Sequence, residues 1–150
     1  MPGASFDEAR EADLPALVEL LGLLFAQEAE LSPDPGKQRI ALELILADPA
    51  RARIYLARVG AKVAGMAALH FTVSTAEGGK AAWLEDCIVH PDYRRRGIGK
   101  ALLEHVLAQA RAQGATRVTL LTDGDNARAQ ALYRRLGFAP SSMLAMRRRV

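Results

Sequence analysis

One cysteine, one tryptophan and few other aromatic residues stand in this chain of 150, and each scarcity removes a class of protein. Cys87 alone cannot form an internal disulfide, and in its apolar surroundings it is expected to act as a small buried hydrophobe rather than a nucleophile. No run approaches the roughly 18 to 20 apolar residues of a membrane span, and the N-terminal Met1-Pro2-Gly3-Ala4-Ser5-Phe6-Asp7-Glu8 lacks the basic, then apolar layout of a signal peptide. A cytoplasmic protein with no membrane partner is the expectation. Repeats and low-complexity tracts are also missing, so residues 1–150 are expected to form a single domain, with half the residues apolar to fill its core. The formal charge is only +3, its excess held in Arg94-Arg95-Arg96, Arg134-Arg135 and Arg147-Arg148-Arg149. Without an aromatic-rich basic stripe, nucleic acid is not an expected partner.

Phe6 to Arg10 has the pattern of a short strand, and Asp13 is an N-cap candidate for a helix carrying Leu14, Leu17, Val18, Leu21, Leu24 and Phe25 at helical spacing. Ser32-Pro33-Asp34-Pro35-Gly36 breaks the chain before a second helix that ends near Asp48-Pro49. Ile54–Val59 and Val63–Phe71 predict a hairpin around Gly60-Ala61, and Ala82–Val89 predicts the next strand, stopped by His90-Pro91. Leu102, Leu103, Val106, Leu107 and Ala110 make a helical stripe up to Gly114. A strand over Arg117–Thr122, a helix capped by Asn126, and a last strand within Ser142–Arg148 complete the order. That order implies a mixed sheet with helices on both faces.

Between the strand ending at Val89 and the helix beginning near Ala101 lies Tyr93-Arg94-Arg95-Arg96-Gly97-Ile98-Gly99-Lys100. A helix start leaves backbone N–H groups unpaired at the positive end of its dipole, so an anion belongs there. Gly97 and Gly99 allow close backbone approach, and Arg94, Arg95, Arg96 and Lys100 supply countercharge. The dinucleotide fingerprint would need Gly or Ala where Leu102 stands. A Walker loop would need glycine at Arg94 and Ser or Thr at Ala101.

The remaining pattern, R-x-x-G-x-G over Arg94 to Gly99, resembles the acetyl-CoA signature of the GNAT acyltransferases, and Asn126 to Phe138 resembles that family's closing N-x(6)-Y-x-x-x-G-F segment. The resemblance implies an α/β (α+β) GNAT fold, a mixed and mostly antiparallel sheet of six to seven strands flanked by four helices. It further implies acetyl-CoA as co-substrate, no metal, and a homodimer. The pyrophosphate would rest on the amides from Arg95 through Gly97, Ile98 and Gly99 to Lys100. The backbone of Cys87, Ile88 and Val89 would pair with the pantetheine arm, and Asn126 and Tyr133 would complete the cofactor site.

Acetyl transfer to an amine needs a proton acceptor for the amine and a proton for the departing thiolate. Glu85 is the candidate base, an acid in an otherwise apolar strand, and Tyr133 the candidate acid. On simple alternation Glu85, Cys87 and Val89 share one face unless a bulge intervenes, and Asp86 points the other way. Trp83-Leu84-Glu85-Asp86 most resembles the spermidine/spermine N-acetyltransferase branch, which implies that Glu85 and Glu28, with Asp86, meet a cationic acceptor such as a small polyamine-like or amino-acid-like amine. The loop Thr72-Val73-Ser74-Thr75-Ala76 lacks the aromatic residues expected of that branch. Acetylation of a protein or peptide amine, and a non-catalytic module that binds CoA, stand as alternatives.

Overall fold

A computed structural model describes residues 3–28 and 30–150, leaving Met1, Pro2 and Ala29 outside the described residues. The chain divides into two compact units, Met1–Leu120 and Leu121–Val150.

The first unit is a sheet between helices. Its strands are β1 (Ser5–Glu8), β2 (Ala52–Val59), β3 (Lys62–Ser74), β4 (Gly79–Val89) and β5 (Val118–Leu120), and its helices are α1 (Leu14–Gln27), α2 (Pro35–Ala47) and α3 (Ile98–Ala112). The strands lie in chain order, with β1 to β4 antiparallel and β5 parallel to β4. The hairpin between β2 and β3 turns at Gly60-Ala61, where Gly60 takes φ 60°, a value that costs glycine nothing sterically.

Alternation sends each strand's side chains to opposite faces. Ile54, Leu56, Met66, Ala68 and Ile88 pack under Leu14, Leu17, Leu20, Leu21 and Leu42 of α1 and α2. The intervening Tyr55, Ala67 and Leu69 are fully buried, as are Leu102, Leu103 and Val106 of α3, and α3 lies against β2, β3 and β4. Along α2 the stripe is narrower than its composition suggests. Leu42 is buried while Ile40 and Leu44 face outward at 63% and 69% exposure, because these residues fall on the far side of a 3.6-residue turn.

Asp13 does not cap α1 through its side chain. Its carboxylate accepts the Arg10 N–H at 2.8 Å and both terminal nitrogens of Arg58 at 3.0 and 2.9 Å. Burial alone would raise its pKa, but Arg58 and the Arg10 amide outweigh burial and hold it below the ordinary carboxylate value.

The second unit contains α4 (Ala127–Arg135). No strand forms within Ser142–Arg148, so the sheet has five strands among the described residues rather than six or seven. A strand needs a neighbour to take its N–H and C=O groups, and this unit has no other strand among its described residues.

Candidate functional site

Beyond Val89 the chain passes through a 3-10 turn, Pro91–Tyr93, before α3 begins at Ile98. The His90 N–H donates to the Ala64 carbonyl at 2.7 Å, which fixes the exit from the sheet. Arg95 and Gly97 then take φ 63° and 75°, left-handed conformations of the kind found in anion-binding nests. The Ala101 N–H is the donor to the Gly97 carbonyl, at 3.1 Å. The amides of Ile98, Gly99 and Lys100 precede that bond and are the orphan donors of the helix start. All six expected cradle residues, Arg95 to Lys100, therefore lie on one loop-to-helix junction.

The basic side chains are arranged differently from simple countercharge. Arg94 Nε donates to the Val89 carbonyl at 3.1 Å, and the Arg96 guanidinium lies 5.4 Å from the centre of the Tyr93 ring. Lys100 approaches Glu104 at 3.6 Å with both side chains 55% exposed, a contact worth little in water. Arg94 thus braces the end of β4, and the backbone amides of Ile98, Gly99 and Lys100 are left as the donors at the start of α3.

The strand leading to this junction is bulged. Ala68 stands opposite Glu85 and Met66 opposite Ile88, so Ala67 faces two residues, Asp86 and Cys87. Asp86 takes φ 54°, an uncommon conformation for a non-glycine residue and one that short polar side chains tolerate best. Continuous alternation therefore fails here. Glu85 shares the α1 and α2 face with Ile88, while Cys87 and Val89 fall on the opposite face. Asp86, expected to point away from Glu85, lines a cavity of about 230 Å³ with Leu21, Phe25, Leu42 and Ile45 of α1 and α2.

Burial raises the Asp86 pKa to about 6, and the nearby negative charges of Glu85 and Glu28 add to the effect. The three expected acceptor residues are thereby brought into one electrostatic neighbourhood, with Glu28 in extended conformation just past the end of α1. Burial, then Asp86, pushes the Cys87 thiol up to about 12, which keeps it protonated and unreactive near neutral pH.

The pairing of β4 with β5 ends at Leu84 and Leu120. Beyond it, the edge of β4 from Glu85 to Val89 continues past the end of β5. Backbone groups along such an edge can pair with an extended ligand.

In the second unit, the Asn126 side chain caps α4 by accepting the Ala129 N–H at 3.2 Å. The helix closes in a Schellman turn, with Phe138 N–H to Tyr133 carbonyl and Gly137 N–H to Arg134 carbonyl both at 3.0 Å, and Gly137 at φ 91°. The Tyr133 and Phe138 rings meet edge to face at 5.9 Å. Asn126 therefore caps the start of α4, Tyr133 lies within it, and Gly137 and Phe138 form the turn that closes it.

His70 was not singled out by the sequence. It lies on β3 with its Nε2 3.6 Å from Glu85 Oε2. The available signal was its polarity in a run of apolar strand residues, Ala67-Ala68-Leu69-His70-Phe71.

The first unit thus holds a sheet with helices on both faces, a glycine-containing loop that leads from β4 into the start of α3, and two adjacent carboxylates, Glu85 and Asp86, on β4. The profile of the acetyltransferase (GNAT) family matches residues 15–138, and the chain belongs to that family. It is 46% identical over 57 residues to a mycothiol acetyltransferase of Beutenbergia cavernae, which covers 38% of this chain and 19% of that protein. It is 44% identical over 57 residues to the ribosomal protein bS18 alanine N-acetyltransferase of Escherichia coli K12, 38% of each. A thialysine N-epsilon-acetyltransferase of Bos taurus is 36% identical over 52% of this chain and 45% of its own length. The chain thus matches less than half of each of these relatives. Among solved structures, the integron cassette protein HFX_CASS3 from the mobile metagenome of Cole Harbour Salt Marsh superposes with a TM-score of 0.84 at 26% identity, covering 97% of this chain and 90% of that one.

Proposed function

We propose that the protein is an acetyl-CoA-dependent N-acetyltransferase acting on a primary amine. The observation that carries the reading is β4 itself, which delivers Glu85 and Asp86 to one face and ends in the cradle at the start of α3.

The residues fit acetyl-CoA on their own chemistry. The amides of Ile98, Gly99 and Lys100 offer donors to a pyrophosphate, and the edge of β4 at Cys87, Ile88 and Val89 offers main-chain groups to an extended arm. When bound, acetyl-CoA supplies the activated acetyl group as a thioester. Glu85 accepts the proton of the acceptor amine, directly or through water. Glu28 and Asp86 add negative potential that draws a cationic acceptor toward it. Tyr133 holds a proton at its hydroxyl for the leaving sulfur, an assignment supported by its place in the Asn126 to Phe138 motif.

A small polyamine-like or amino-acid-like amine is the favoured acceptor, supported by the Trp83-Leu84-Glu85-Asp86 tetrad and the partial likeness to the thialysine enzyme. A protein or peptide amine is the second possibility, supported by the likeness to the ribosomal alanine acetyltransferase. We read residues 1–150 as one acetyltransferase domain, since the family match runs through both compact units. A homodimer is proposed on family resemblance alone, and light scattering on the purified protein tests it.

Thiol release from acetyl-CoA across polyamines, amino acids and peptides tests the function. Saturable, amine-dependent release is expected, with Tyr133→Phe and Glu85→Gln each lowering kcat by about 100-fold or more and leaving acetyl-CoA affinity nearly unchanged. Saturable CoA binding with no turnover on any amine would instead mark a sensor module.

A further inference from the structure

A glutamate on a strand face has three side-chain torsions, and a proton acceptor is effective only when one oxygen points at its target. What fixes Glu85 is therefore part of how the site works. His70 stands opposite Trp83, and Ala68 opposite Glu85, so His70 and Glu85 are diagonal neighbours on one face of the sheet. Diagonal neighbours are within reach of long side chains.

The His70 Nε2 makes no contact with solvent and has no hydrogen bond among the described residues. It lies 3.6 Å from Glu85 Oε2, just beyond hydrogen-bond range. The His70 side chain is 35% exposed and that of Glu85 is 56% exposed, so the ring nitrogen is the fixed end of the pair and the carboxylate the adjustable one. A buried ring nitrogen is costly to leave unpaired, and a shift of the carboxylate by a few tenths of an ångström closes the bond. In that arrangement the proton stays on Nε2, which donates the hydrogen bond that the carboxylate accepts.

We propose that His70 is a positioning residue for Glu85, holding Oε2 so that Oε1 faces the acceptor amine. The proposal rests on Glu85 acting as the proton acceptor. Because Nε2 has no solvent contact, this nitrogen acts through Glu85 rather than on the amine directly.

Two polar variants separate this role from packing. His70→Gln keeps a nitrogen donor at a reach close to that of Nε2, whereas His70→Asn places its amide near the position of Nδ1, short of Glu85. Using an amine that the wild type turns over, His70→Gln is expected to keep kcat within about threefold and His70→Asn to lose about tenfold or more, with the acetyl-CoA KM within about twofold in both. In a Glu85→Gln background, His70→Asn is expected to have little further effect. Thermal melts of each variant accompany the kinetics. Equal kcat for the two variants, or a His70→Asn loss that adds in full to that of Glu85→Gln, overturns the proposal. A Glu85→Gln enzyme with undiminished kcat refutes the proton-acceptor role on which this proposal rests, and a wild type inactive on every amine refutes the proposed function itself; either takes this proposal with it.

Discussion

At the scale of single residues, the burial of Asp86 ties stability to pH. Its pKa rises from 3.8 to about 6 because the folded chain buries it beside Glu85 and Glu28. A raised acid pKa favours the neutral form in the folded state, so the associated stability is present in full below pH 3.8 and is lost as pH climbs through about 6. That gap corresponds to about 3 kcal/mol. Asp86→Asn is therefore expected to be about neutral at pH 4 and stabilising by up to that amount at pH 8, measured by urea titration at both values. Equal differences at the two pH values would show that burial does not perturb this carboxylate. Nothing in the local sequence announced the Asp86 conformation, since bulges at φ 54° are usually marked by glycine. Likewise, His70 and Asp13 acquire their roles from partners distant in sequence, Glu85 and Arg58.

At the scale of elements, the turn into α3 depends on backbone conformation more than on space. A Cβ placed on Gly97 would meet nothing within 4 Å, yet its φ of 75° lies in the left-handed region. Gly97→Ala is expected to cost about 1 to 2 kcal/mol and to raise the acetyl-CoA KM. Gly97→Asn should cost less, because asparagine tolerates this region. Denaturant unfolding and steady-state kinetics check both, and equal stability of wild type and Gly97→Ala would contradict the backbone account. This element was legible in sequence because glycine and a following apolar stripe mark a helix start by local chemistry. The Gly60-Ala61 hairpin and the capped helix from Asn126 to Gly137 were legible for the same reason. The expected final strand failed because its formation depends on a ladder partner, which composition does not reveal.

At the scale of the whole molecule, stability is distributed unevenly along the chain. The fully buried residues of the core, among them Leu17, Leu56, Leu69 and Leu102, all belong to the unit ending at Leu120, while no described residue from 121 to 150 is buried. Regions with few buried apolar groups open at lower free energy. Hydrogen exchange is expected to show strong protection in β2 and β3 and rapid exchange over residues 139–150, where Met143, Leu144 and Met146 are 87 to 93% exposed. Protection of the tail equal to that of β3 would contradict this gradient.

The bulge in β4 also has a meaning for how its flanks are phased. Glu85 opposite Ala68 and Ile88 opposite Met66 leave one place, opposite Ala67, for two residues. With residue 86 omitted, Cys87 alone would fill that place and the ladder would run without interruption. Asp86 is in this sense supernumerary to the sheet, a carboxylate lodged in the pocket without changing which way either flank faces.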